Sequence, residues 1–535
     1  MYVNFCKMKR IITGSRDVIS LVPILLISAG LRIYKLGVNS FWTDEAVFML
    51  YRKGNLLESL RYTWLKLIQG QLGPANHGYS VFSIFMSNLV KEEFMLRLPS
   101  VIAGIISVLL IYYLGKELFG RRVGLISAFI LAISPFHIYY SQEFRMYSFI
   151  SLFTILTVFF LRRFTQSGKL RFLLGYVIFH SLNIYFHITT VLILLAEIIF
   201  FLFYKRKYLH LFKKWLIGQL IIILLLMPEI LFLIMYLKHH QWMEGFSITI
   251  STLSELGFIS SKAPFFTLKN FSVGYNASTP IYLFSTLPFS IFVIWGIIKA
   301  KKKEELNLCL CCLFIPMVIM YAGQRFIYAD RYLIPSSIFF YLTLSNGIAS
   351  LKRNLVIFIL ILVSAFYFCA LNNYYRGYLP GPHERRIAVH SKKEHRQAAG
   401  YILENFQKGD IVFHVNPNTV LPFQYYLKFK ENNEKTSALS SEQIGSVLRF
   451  SKDDRELLPF DFLNKCRLID SSEIISVKGH KRVWLVFSAR EFEEANKPSS
   501  YERRIVEWMD RHYIRNNIKE FKGIILFFYI SPGQL

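Results

Sequence analysis

Acid is scarce where this chain is most apolar. Residues 1–371 carry 15 Asp and Glu against 36 Lys and Arg, so they hold +21 of the total net charge of +27. Cysteine is scarcer still, with six in 535 residues. Cys309, Cys311, Cys312 and Cys369 lie in apolar stretches, Cys6 is near the amino terminus, and Cys466 lies in the polar tail. That placement excludes a disulfide framework. The Cys311-Cys312 pair reads as polarizable helix-core packing rather than metal or redox chemistry. Also missing are an internal repeat, a low-complexity tract and a glycine-rich loop of the kind that cradles nucleotide phosphates. The basic excess falls in short clusters between apolar segments, the pattern that sets membrane topology. No nucleic-acid partner is expected from it.

What is present is hydrophobic length. Hydrophobic residues make up 53% of the chain and aromatics 16%, with 50 Phe and 31 Tyr. They fall in runs of about twenty, enough to cross a hydrocarbon layer of ~30 Å. Basic clusters lie at 7–16, 120–122, 162–171, 205–214, 299–303 and 351–353. All face the cytoplasm if an even number of crossings separates neighbours. Eleven spans satisfy that parity, at 17–37, 98–118, 123–139, 146–162, 172–186, 188–204, 213–236, 280–298, 306–322, 332–350 and 354–371. The apolar run 77–90 is too short to cross and is expected to lie on the outer surface. The stretch 18–36 has the look of a signal peptide, but no small-residue cleavage site follows, so it is expected to stay as the first span.

The expected fold class is therefore mainly α: a polytopic transmembrane helical bundle of about 11 spans. Interfacial helices are expected in the first outer loop, over 42–64. Gly377, Pro380, Gly381 and Pro382 mark a linker, dividing a transmembrane domain, 1–371, from a small extracytoplasmic α/β domain, 372–535. In the latter, 393–405 reads as a helix, and 410–415 and 482–488 as strands. Asn270-Phe271-Ser272 and Asn276-Ala277-Ser278 match the glycosylation pattern on an outer loop.

Nine of the 15 acids in residues 1–371 fall on or near the expected outer side: Asp44, Glu45, Glu58, Glu92, Glu93, Glu143, Glu244, Glu255 and Asp330. Foremost is Trp42-Thr43-Asp44-Glu45, directly after the first span. A charge costs ~2.5–3.5 kcal/mol at the centre of a spanning helix and less at its mouth, so two adjacent carboxylates need a reason. Either they complement the dipole of an interfacial helix, or one is a general base. Asp44 is the expected base, with Glu45 beside it. A second group, Glu143, Arg145 and Tyr147, sits where one span leaves and the next enters. An arginine there can bind phosphate bidentately, whereas a surface pair of Glu143 with Arg145 would contribute little. A third group, Arg325, Asp330, Arg331 and Tyr332, puts cations on the side the charge rule avoids; snorkelling to headgroups is the plainer account. His77 and His187 stand alone at the outer interface, as hydrogen-bonding residues rather than metal ligands. Glu197 and Glu229 are expected toward span ends.

Taken in order, these segments resemble the polytopic glycosyltransferases of the GT-C superfamily, in the branch of protein O-mannosyltransferases (glycosyltransferase family 39 type) and their bacterial relatives. The series runs through Leu31-Arg32-Ile33-Tyr34-Lys35-Leu36-Gly37, Ser40-Phe41-Trp42-Thr43-Asp44-Glu45-Ala46 and Arg97-Leu98-Pro99-Ser100. It continues through 113–120, Ser134-Pro135, 140–147, Tyr185-Phe186-His187 and 330–335. The ordered series over residues 30–340 carries the resemblance, not any one motif. Where the family usually has His-Pro-Pro-Leu, this chain reads Asn76-His77-Gly78-Tyr79, which keeps His77 and drops the proline pair.

The resemblance implies a sugar donor linked through phosphate to a polyprenol, and an acceptor that is a protein, lipid or glycan. Asp44 would deprotonate the acceptor for inverting attack. Arg145 and Arg331, with Arg325 behind them, would stabilise the departing polyprenyl phosphate. Glu45 and Glu143 would orient the acceptor or the arginines, and His77, Tyr147, His187 and Tyr332 would line the substrate site. No cofactor and no obligatory metal are expected, although relatives differ on metal. The site would face outward from a bacterial or archaeal plasma membrane. Rival classes fit less well. Transporters and lipid flippases place ionisable residues at the midplane of inverted repeats. O-antigen ligases and polymerases rely on outer-loop arginines and a large late loop rather than on an acidic dipeptide, and a receptor or scaffold would place its activity in the outer domain, which offers no recognisable catalytic set.

Overall fold

The computed structural model describes residues 15–50, 55–69, 76–239, 263–323, 328–379, 393–407, 410–415, 417–431, 480–488 and 501–534. Helix α1 (Ser15–Ile33) leads to α2 (Thr43–Leu50) and α3 (Leu56–Ile68), the short helices of the first loop, then to α4 (His77–Leu89). The apolar series follows: α5 (Glu93–Leu118), α6 (Arg121–Ile133), α7 (Pro135–Ser141), α8 (Tyr147–Ser167), α9 (Leu170–Phe186), α10 (Val191–Phe203), α11 (Leu209–Leu225) and α12 (Met227–His239). It resumes with α13 (Ala263–Val273), α14 (Thr279–Phe284), α15 (Thr286–Lys299), α16 (Lys303–Ala322), α17 (Ile334–Ala349) and α18 (Arg353–Tyr375). A helix thus stands at each of the expected span positions. By length and apolarity, five described helical runs qualify as spans: α5, α8, α14–α15 together, α16 and α18. Counting the bent pairs α6–α7 and α11–α12 as single spans raises this to seven, while α9 and the run 188–203 are shorter apolar helices.

The 58° bend between α6 and α7 has a plain cause. Pro135 opens α7, and a proline cannot donate to the preceding turn. The carbonyls of Leu131 and Ala132, left over at the end of α6, accept from the Arg32 guanidinium at 3.0 and 2.8 Å. Arg32 is fully buried and also donates to Ser28 and Ser141. It ties α1 to the break.

One end of the bundle gathers the basic clusters of the described residues. Asp17 takes Lys116 and Arg121, each at 2.6 Å. Arg162 reaches Glu304 and Glu305, Arg163 reaches Glu117, and Arg122 donates to the Leu351 carbonyl. Arg97, on the same helix as Lys116, lies at the other end. Nineteen residues of α5 separate them, roughly 30 Å at 1.5 Å per residue.

Close helix contact supports the far side. A Cβ on Gly347 of α17 would lie 2.0 Å from the Phe292 carbonyl of α15, and one on Gly296 would lie 2.2 Å from the Thr343 carbonyl. Small residues at such a crossing let two backbones touch, which drives packing where lipid is as apolar as the side chains. Inside the bundle, Glu197 is not near a span end as expected. It sits midway along α10, fully buried, against His180 at 2.7 Å. A partner on the next helix offsets the cost of an ionisable group at that depth.

Beyond α18 lie α19 (His395–Asn405), α20 (Pro417–Glu431), α21 (Tyr501–His512) and a four-stranded sheet. The strands are β1 (Ile411–His414), β2 (Arg482–Ser488), β3 (Ile514–Phe521) and β4 (Ile524–Ile530), in the order β1-β2-β4-β3. β1 and β2 pair in parallel and the other pairs are antiparallel. Sequence patterning anticipates β1 and β2 but passes over β3 and β4. The reason is visible in β4. Ile524, Leu526 and Phe528 pack toward α19 and α20, and Ile525, Phe527 and Tyr529 toward α21. A strand covered on both faces shows no polar alternation.

Gly347→Ala is expected to force α15 and α17 apart at a cost of about 1–3 kcal/mol, seen as a lowered melting temperature in detergent. An unchanged midpoint would contradict the contact.

Candidate active site

The chain leaves α1, turns through 34–42, and starts α2 at Thr43. Asp44 and Glu45 fall in the first turn of α2, where acids complement exposed amide donors. Although adjacent, the two point to different tasks.

Glu45 is fully buried and grips Arg97 with both oxygens, at 2.8 Å each. It also accepts from the Phe144 backbone N–H at 2.7 Å. Arg97 is 1% exposed and donates as well to the carbonyls of Leu36, Asn39 and Ser40. This fork-to-fork pair joins α2, the loop before it, α5 and the α7–α8 turn. Glu45, expected in the catalytic pair, is therefore a structural anchor, because its oxygens are committed to buried donors. Arg97 carried no weight as a site residue in the sequence; a cation four residues into a spanning helix was the available signal.

Asp44 is 29% exposed and faces cations. Its Oδ2 lies 2.9 Å from Arg331 Nη1 and 3.4 Å from Arg145 Nη2. Arg145 Nη1 also donates to the Asp44 carbonyl at 2.9 Å. The expected convergence of the first loop with the two arginine turns is thus present. Arg145 lies over the rings of Phe48 and Tyr147 at 5.0 and 5.7 Å, and Arg331 over Tyr332 at 4.9 Å. Arg331 Nη2 donates to the Tyr332 hydroxyl at 3.0 Å, and the Tyr332 ring meets His187 at 4.8 Å. Arg145, Tyr147, His187, Arg331 and Tyr332 therefore form one cluster around Asp44. Among the described residues, Nε of Arg145 and of Arg331 is buried with no hydrogen-bond acceptor.

Arg331 is aimed by its neighbour. Asp330 takes the Thr267 hydroxyl and the Asn270 amide of α13, the latter at 2.5 Å. Asn270 is fully buried and also takes the Tyr282 hydroxyl, and Asn276 donates to the Tyr378 carbonyl. Neither asparagine presents its amide to solvent. The glycosylation reading of both is corrected: a tripeptide pattern is silent on burial.

His77 joins a different contact, with Nδ1 at 2.6 Å from Glu229 of α12 and its ring against Phe232. Glu143 is fully buried in the α7–α8 turn, where its carbonyl accepts the Arg145 N–H at 2.8 Å. The ion pair of Arg145 is with Asp44. Arg325 lies outside the described residues.

His187 stands in the turn between α9 and α10 and caps it, its Nδ1 accepting the Thr189 N–H at 3.3 Å and lying 2.7 Å from the Thr189 hydroxyl. Burial, with Arg145 and Arg331 beside it, pushes its imidazole down from 6.5 to about 3. The ring is neutral at working pH, with Nε2 as donor.

Residues 79–232 match the family model described as dolichyl-phosphate-mannose-protein mannosyltransferase. That stretch holds Arg145, Tyr147 and His187 but neither Asp44 nor Arg331. The chain is similar to that family over this stretch, and its helical fold is shared with solved membrane glycosyltransferases. Among solved structures, ArnT from Cupriavidus metallidurans bound to undecaprenyl phosphate is similar over 96% of this chain and 98% of that one, with a TM-score of 0.54 and 9% identity. Its apo state gives 95% and 97%, with a TM-score of 0.54 and 10% identity. An oligosaccharyltransferase from Archaeoglobus fulgidus in complex with Zn and sulfate is similar over 96% of this chain and 73% of that one, with a TM-score of 0.50 and 12% identity. At such identities the likeness is one of fold. No curated protein sequence matches the chain.

Two outcomes follow. Glu45→Ala removes the bidentate partner of buried Arg97, leaving only Glu93 at 3.8 Å among its described carboxylates, and is expected to cost about 3–5 kcal/mol, well beyond the cost of Asp44→Ala, in thermal unfolding; equal losses would contradict the division of roles. For His187, the unfolded state binds a proton below about 6.5 and the folded state does not, so stability falls as pH drops from 6.5 toward 3. Melting temperatures recorded from pH 8 to 4 should decline less steeply in His187→Gln; parallel curves would contradict a buried neutral ring.

Proposed function

We propose that the protein transfers a sugar from a polyprenyl-phosphate-linked donor to an acceptor hydroxyl or amine, with inversion, at the extracytoplasmic face of a bacterial or archaeal plasma membrane. The single observation that carries this reading is the sharing of Asp44 between Arg145 and Arg331 at 3.4 and 2.9 Å. A carboxylate poised as base and two guanidiniums able to hold a phosphate are the groups that a lipid-phosphate donor needs. The gathering of basic clusters at the opposite end of the bundle supports an outward-facing site, since such clusters stay in the cytoplasm.

The chemistry divides among these residues. Asp44 takes the proton from the acceptor as its oxygen or nitrogen attacks the anomeric carbon. The bond from that carbon to the phosphate oxygen breaks, and polyprenyl phosphate leaves with the electron pair. Arg145 and Arg331 stabilise the charge that grows on it, in a setting already arranged for an anion. In the resting state they hold Asp44. A donor phosphate competes for the same guanidiniums and has their spare Nε–H groups available, so donor binding releases Asp44 to act as base. Transfer then follows an order, donor before acceptor. His187 and Tyr332 pack the wall beside Arg331, and Glu45 and Glu143 serve by position. Independence from a metal belongs to this proposal as an expectation from the sequence.

Purified protein incubated with a panel of polyprenyl-phosphate sugars should release free polyprenyl phosphate. Asp44→Asn should reduce that release by about 10²–10⁴-fold, the usual worth of a general base. Equal turnover in the variant would remove Asp44 from the reaction.

A further inference from the structure

The anchor beneath Asp44 does not end at Arg97. Glu93, four residues earlier on α5, lies 3.8 Å from Arg97 and is taken by the Arg396 guanidinium of α19 through both of its oxygens. The Tyr426 hydroxyl of α20 donates to Glu93 Oε1 at 2.6 Å and accepts the Phe41 N–H at 2.6 Å. Arg396 also donates to the Gly37 carbonyl, and its own N–H donates to Ser40 Oγ, which in turn donates to Gln397. The Tyr425 ring lies 5.1 Å from the Phe41 ring, and the Arg97 guanidinium lies 4.9 Å from the same ring. Charges therefore alternate without a gap: Arg396, Glu93, Arg97, Glu45. Asp44 immediately precedes Glu45, the last acid of this series, in the first turn of α2.

We propose that Arg396, Glu93 and Tyr426 are positioning residues through which the carboxyl-terminal segment sets the placement of Asp44. Two carboxylates compete for one guanidinium. Arg97 is shared by two carboxylates, and Glu93 leaves the larger part of it to Glu45 because Arg396 and Tyr426 satisfy Glu93 from outside. Without Arg396, Glu93 draws Arg97 toward itself, Glu45 loses its fork, and the first turn of α2 shifts against Arg145 and Arg331. Removing the Glu93 charge as well ends the competition and returns Arg97 to Glu45. The inference rests on the proposed transfer reaction for its kinetic readout, but not for its structural one.

The test compares wild type, Arg396→Gln, Tyr426→Phe and the double variant Glu93→Gln/Arg396→Gln. Arg396 is 39% exposed, so its replacement removes a charge with little packing. The expected result is a fall in kcat of about tenfold or more for Arg396→Gln, as displacement of a reacting group brings. The donor KM should hold, because Arg145 and Arg331 remain, and the double variant should recover most of kcat in a non-additive cycle. Hydrogen exchange over residues 41–50 and 142–146 should quicken in Arg396→Gln and slow again in the double variant. Unchanged kcat in Arg396→Gln overturns the inference, as does a loss that tracks the folded fraction and is not rescued. If wild type turns over no donor, the transfer reading fails, and exchange alone decides: a rescued increase supports the positioning chain, and identical exchange in all variants overturns it.

Discussion

The bidentate pair of Arg97 with Glu45 is the interaction on which the rest of the site hangs. A guanidinium at 1% exposure cannot be left alone in an apolar bundle, and a fully buried carboxylate cannot either. Each makes the other tolerable, and their remaining capacity is filled by backbone carbonyls of 36–40 and the Phe144 N–H. The pair is weak evidence for net stability but strong specification of geometry. It permits one placement of the first loop against α5 and the α7–α8 turn, and Asp44 inherits that placement from its neighbour.

Around that anchor, irregular backbone appears where chemistry is to be presented. The Ser134-Pro135 break, the turn at His187 and the short turn at Asp330–Leu333 each interrupt a helix at the mouth of the bundle. Each break frees polar groups that must be satisfied in low dielectric. Arg32 does so at the first, Thr189 at the second, and Thr267 with Asn270 at the third. Arg331 projects from the third of these turns and Arg145 from the α7–α8 turn that follows the first break, and the two meet at Asp44.

Much of this was legible in the chain. Hydrophobic length located the helices, because lipid demands about twenty apolar residues whatever they pack against. The scarcity of acid made Asp44 and Glu45 conspicuous, and cations on the side that topology disfavours marked Arg145 and Arg331. Less was legible where a residue's role depends on its partner. Asp44 and Glu45 are equivalent as letters and opposite in use. Arg97 and Arg32 read as ordinary span-end cations until their acceptors are seen. Asn270 matched a surface motif and is buried under Asp330. Strand β4 gave no alternation, since both of its faces are covered.

By itself the sequence determined what must lie in the membrane, how charge is sorted along it, and which few ionisable groups demanded an explanation, because solvation energies act residue by residue. The tertiary structure alone decided which of two adjacent carboxylates faces the arginines and which is locked away, and that α19 and α20 reach the loop beneath Asp44. Those outcomes follow from contacts between residues as far apart as Glu45 and Arg97, Asp44 and Arg331, or Glu93 and Arg396, and the pairing of distant charges is set by packing rather than by any local pattern.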